Sequence, residues 1–79
     1  MHDDVANRLT RKLGLMQTPS NQAMKEFAKH ARAFQSGGDT ADQAGIKAAL
    51  GKFPAEFVPT KYVNNGDPMD LLLDEIEKL

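Results

Sequence analysis

Reactive side chains are few in this chain: two histidines, several hydroxyls and an acidic cluster near one end, and their spacing decides what each could do. His2 sits in the first residues, beside Asp3 and Asp4. His30 follows Glu26 by four residues, the spacing of a solvated pair on one helix face. No His-x-x-x-His or comparable ligand spacing occurs and there is no cysteine, so neither a metal site nor a disulfide is expected. Ser20 and Ser36 fall at helix boundaries, where capping accounts for a serine without catalysis. Asp70, Asp74, Glu75 and Glu77 have the spacing of a solvated helix side, with Asp74 and Lys78 set for an i,i+4 pair. Nothing here supplies the nucleophile, acid–base pair or metal that catalysis needs. The expectation is a non-enzymatic protein without a cofactor.

Two other groups of residues suggest binding. Leu71, Leu72, Asp74, Glu75 and Leu79 belong to an acidic and apolar C-terminal helix, and Phe57 and Tyr62 to a proline-bounded apolar segment over residues 54–66. Docking of an amphipathic helix, with aromatic anchors beside it, is a recurrent recognition mode. The favoured expectation is a small regulatory or adaptor protein that binds another protein through this helix and segment. Homodimerisation through the same surface is compatible with it.

The alternative is a nucleic-acid-binding regulator. Arg8, Arg11, Lys12, Lys25, Lys29 and Arg32 put a basic face on the first two helices, able to neutralise several phosphates. Against it, Pro54 and Pro59 interrupt any reading helix after Gly51, and that region carries few basic groups. The net charge of −1 also weakens this reading.

The elements that must position these residues follow from size and periodicity. A chain of 79 residues allows one domain, whose stability has to come from apolar packing, within the chain or shared between subunits. No apolar run approaches the ~20 residues that cross a bilayer, and the Met-His-Asp-Asp start is unlike a secretory signal. A soluble, cytoplasmic protein is the default expectation. Charge is polarised along the chain: residues 1–36 carry six cations and three carboxylates, residues 37–79 four lysines and eight carboxylates. The simpler consequence is attraction between the two halves of one fold.

The pattern predicts an all-α fold, an irregular four-helix bundle with helices near 3–15, 19–36, 40–52 and 68–79. Asp3 or Asp4 caps the first helix, whose apolar side is Val5, Leu9, Leu13 and Met16. Thr18 before Pro19 caps the second, with Ser20 as the competing cap. Met24, Phe27, Ala28, Ala31 and Phe34 form its stripe, and Gly37-Gly38 ends it. Thr40 and Gln43 make a capping box for the third. There Ala41, Ala44, Gly45 and Ala48 form a small-residue ridge beside a larger patch of Ile46, Leu50 and Phe53. A helix apolar on so many sides belongs in a core or at an interface. Residues 54–66 are expected to lie extended across the helices, with a short strand at Thr60–Val63 and a turn at Asn64-Asn65-Gly66. Asp67-Pro68 then caps the last helix, with Met69, Leu72, Leu73, Ile76 and Leu79 as its stripe.

Overall fold

A helix starts where something satisfies its orphan backbone N–H groups, and three of the four helices here use a polar side chain for this. The computed structural model describes residues 4–63 and 66–79. Its helices are α1 (Val5–Leu13), α2 (Asn21–Ser36), α3 (Ala41–Leu50) and α4 (Met69–Glu77), and no strand occurs among the described residues. The Asp4 carboxylate accepts from the Asn7 N–H at 3.0 Å, and the Ser20 hydroxyl accepts from Ala23 at 3.1 Å. Thr40 and Gln43 form the reciprocal capping box. Of the competing caps, Ser20 therefore starts α2, and Pro19 stays outside it. His2 and Asp3 lie outside the described residues.

The start of α4 differs from expectation. Pro68 is itself the N-cap, with no side-chain cap bond. The Asp67 carboxylate instead accepts from Nε of Arg8 at 2.9 Å. A carboxylate bonds more strongly to a charged guanidinium than to an uncharged backbone N–H.

α1 also stops early, at Leu13. Gly14 takes the left-handed conformation (φ 63°) and its N–H donates back to the Thr10 carbonyl. Met16 is thereby lost from the apolar side of α1 and left in solvent.

The core is one cluster. Leu9 and Leu13 enter it from α1, Met24, Phe27 and Ala31 from α2, and Ala44 and Ala48 from α3. α4 contributes Met69, Leu72, Leu73 and Ile76, none of which keeps any solvent exposure. The small-residue ridge on α3 works as a close-approach surface: a Cβ at Gly45 would stand 2.8 Å from Cε of Met69. The larger patch beside it is not covered. Ile46 is half-buried, and Leu50 and Phe53 are exposed.

Residues 54–63 form a strap laid across the helices. Phe57 plugs it into the core, its ring 5.3 Å from that of Phe27. Beyond it, Thr60 and Val63 donate to the carbonyls of Gly14 and Lys12 at 3.0 and 2.9 Å. The expected strand at Thr60–Val63 is absent, and only an isolated bridge joins Leu15 to Pro59. The end of a helix offers a few orphan carbonyls and no continuous ladder, so the strap is extended without belonging to a sheet. Of the expected 64–66 turn, Asn64 and Asn65 lie outside the described residues, while Gly66 has φ 87°.

The polarised charge is matched internally. Arg8 on α1 donates to both carboxylate oxygens of Glu75 as well as to Asp67. Arg32 on α2 meets Asp70 at 2.9 Å, Asp74 at 2.5 Å and Glu77 at 3.3 Å. Two arginines from the basic half thus grip the acidic helix. Hydrogen bonding from Arg8 holds the Glu75 carboxyl below its ordinary range, and the same bond raises the Arg8 guanidinium.

Candidate functional site

The residues expected to meet a partner divide into three groups. Leu72 and Phe57 are core side chains, fully and almost fully buried, and so cannot contact a partner in this conformation. A Leu72 contact is corrected by the geometry of α4, whose stripe faces inward on α1, α2 and α3. Asp74, Glu75 and Tyr62 are engaged within the chain: the two carboxylates by Arg32 and Arg8, the Tyr62 hydroxyl by donation to Asp42. Leu71 (53 % exposed) and Leu79 (42 %) are the apolar members of the set that remain open to solvent. The C-terminal helix is therefore a structural element first.

The basic set is similarly divided. Arg8 and Arg32 are spent on carboxylates of α4 and its N-terminal turn. Lys12, expected on a basic surface, is buried at 4 % exposure. Its ammonium lies 3.9 Å from Asp42 and 5.1 Å from the centre of the Tyr62 ring, under the strap. A lysine stem packs as an apolar chain when its head finds a carboxylate and an aromatic face. Lys25 and Lys29 are exposed, as is Arg11, which has a partner within the chain. Only Lys25 and Lys29 are left as unpaired cations on the expected phosphate-binding face among the described residues.

Burial, and then the bond to Asp42, raises the Tyr62 hydroxyl above its ordinary value. The hydroxyl donates to Asp42, so the Lys12–Asp42–Tyr62 cluster fastens the strap to α1 and α3. His30 has a similar fastening role. Its ring stacks on Phe53 at 4.4 Å between centres and 7° between planes, and its Nδ1 lies 2.9 Å from the Glu26 carbonyl. No group of three or more His, Cys, Asp or Glu among the described residues is placed to hold a metal ion. No helix among them is long and apolar enough to cross a membrane.

Uncovered apolar side chains gather instead along the strap. Between it and α3 runs a groove of about 150 Å³, walled by Leu13, Ile46, Ala49, Leu50, Pro59 and Tyr62, with Thr60 and Lys61 at its edge. Leu50 on this wall is 67 % exposed. Elsewhere along the strap, Met16 and Val58 share a smaller cleft with Leu15, Pro19 and Glu56. Met16 is 70 % and Val58 47 % exposed. Single exposed apolar residues are ordinary, but several flanking one short segment make a patch. In the sequence Ile46 and Leu50 fall on the second apolar side of α3, and that surplus is the available signal. Nothing in the sequence shows that the strap passes beside them.

No protein-family model, no curated protein and no solved structure matches this chain.

Proposed function

We propose that this is a non-enzymatic protein-binding module of regulatory or adaptor type, whose docking face is the strap with the adjoining wall of α3. The observation that carries this reading is the exposure of Leu50, Val58 and Met16 around one short segment, while Met69, Leu72, Leu73 and Ile76 of α4 are consumed by the core. The strap suits the task physically. It is anchored at both ends, by Phe57 in the core and by the Thr60 and Val63 backbone bonds, so it presents its side chains without the ordering cost of a free loop. Of the two elements expected from sequence, α4 and residues 54–66, this proposal rests on the second, through Val58 rather than Phe57.

The test is capture of a partner from cell extract by the immobilised full chain, compared across variants. Leu50→Gln and Val58→Asp should each abolish capture while leaving the helical circular-dichroism spectrum unchanged, because both positions face solvent. Leu71→Asp, on the exposed side of α4, should retain it. Loss with Leu71→Asp but not with the strap variants would return the docking role to α4.

A further inference from the structure

We propose that the groove beside Leu50 is an anchor pocket for one bulky apolar side chain carried on an acidic segment of a partner protein. The inference rests on reading the strap and α3 as the docking face, and adds the chemistry of what docks. Size gives the first half. The groove holds about 150 Å³, the volume of a protein cavity that accepts a single benzene ring. It therefore has room for one phenylalanine or leucine side chain. Its walls are apolar: the hydroxyl of Tyr62 is already committed to Asp42, and Thr60 Oγ1 donates to the Gly14 carbonyl at 2.6 Å. A single desolvated side chain in such a pocket is the usual centre of a binding hot spot.

Charge gives the second half. Lys61 is the one ionisable cation on the groove's edge, and no carboxylate lines it. Lys61 is exposed and forms no ion pair among the described residues. Lys52, two residues beyond Leu50, is likewise exposed and unpaired among them. Arg8 and Arg32 are taken up by α4 and the turn before it, whereas these lysines carry positive charge that the fold does not pair. A partner residue in the pocket would bring its chain neighbours next to Lys61, where carboxylates are favoured and cations repelled. The smaller cleft beside Val58 is lined instead by a carboxylate, Glu56.

The experiment titrates the isotope-labelled full chain with short blocked peptides and follows amide shifts by NMR. The probe has one phenylalanine between aspartates and glutamates. Its controls replace the phenylalanine by alanine, or every acid by lysine. The acidic phenylalanine peptide should shift Ile46, Leu50 and Tyr62 saturably. The alanine control should bind about tenfold more weakly or worse, as expected for loss of an anchor. Lys61→Glu, at an exposed site, should weaken the acidic peptide several-fold and the alanine control little.

Equal binding of the lysine-substituted peptide overturns the acidic preference and leaves the docking face standing. If no peptide shifts the groove at millimolar concentration while Leu50→Gln still abolishes partner capture, the single-anchor pocket is wrong and the docking face survives. If Leu50→Gln leaves capture intact, both readings fail. A concentration-dependent rise in the mass of the wild type that Leu50→Gln removes would make the occupant a second copy, and that too overturns the proposal.

Discussion

Gly14 is the residue at which the helix end, the strap and the groove meet. Its φ of 63° lies in the left-handed region, which costs an L-residue with a Cβ roughly 1–2 kcal/mol. Space is also lacking, since a Cβ there would stand 2.6 Å from the Lys61 nitrogen and 2.8 Å from its carbonyl oxygen. Backbone atoms held by the Thr60 and Val63 bonds cannot retreat cheaply, so Gly14→Ala should destabilise by more than the dihedral term alone, about 2–4 kcal/mol with the overpacking cost included. Urea denaturation measures the loss, and faster amide exchange at Thr60 and Val63 should show that the strap lifts first. Glu75 offers a residue-level test of a different kind. Hydrogen bonding from Arg8 depresses its folded-state pKa, so the stabilisation is complete above the ordinary carboxylate range and disappears as pH falls through the depressed value. The Glu75 side chain is 43 % exposed, and solvent screening limits the pair to about 1 kcal/mol or less. Glu75→Gln should therefore cost a little at pH 7, cost nothing at the acid end, and flatten that part of the stability profile.

At the scale of elements, α4 decides how much of this chain can be removed. Four of its side chains are fully buried, and each contributes about 1.5–3 kcal/mol by leaving water. Their sum, roughly 6–12 kcal/mol, matches the whole stability expected of a domain this size, about 4–12 kcal/mol. Truncation after Gly66 should consequently abolish the cooperative thermal transition and most of the helical signal, and a folded truncation product would refute the structural role given to α4. The same helix shows where sequence is silent. Met69, Leu72, Leu73 and Ile76 have the periodicity of a buried stripe, and periodicity alone reads identically for a core and for an interface. Local signals fared better: the Thr40–Gln43 box depends on residues three apart and was legible as such, whereas Ser20 was legible only as a competitor of Thr18. Lys12 and Phe57 were not, because their burial depends on contacts with Tyr62 and Phe27, distant in sequence. The candidate groove was half legible, through the surplus of Ile46 and Leu50 on α3, and half hidden, because the path of a proline-bounded segment has no periodicity to read.

For the whole molecule, the distribution of charge along the chain becomes a distribution of grip. A basic half and an acidic half of one chain could equally have faced outward as two opposed surfaces, but Arg8 and Arg32 turn inward and hold α4 from α1 and α2. Arg32 is the stronger test because it serves three carboxylates. Without it Asp70, Asp74 and Glu77 lie on one helix at spacings of four and three, where like charges repel by a few tenths of a kcal/mol per pair. These carboxylates are each half exposed, so the lost attractions also stay small, within about 1 kcal/mol per pair after screening. Arg32→Met keeps most of the apolar stem while removing the charge. It should lower stability by about 1–2 kcal/mol at low ionic strength, a fall in Tm of roughly 4–16 °C for a domain of this length. In 1 M salt, where the Debye length is about 3 Å, most of that difference should vanish. Adding Asp74→Asn to Arg32→Met should recover part of the loss at low salt by removing the repulsion at its centre. A loss that salt leaves untouched would instead assign Arg32 to packing, and the segregation of charge along the chain would then have no part in holding the two halves together.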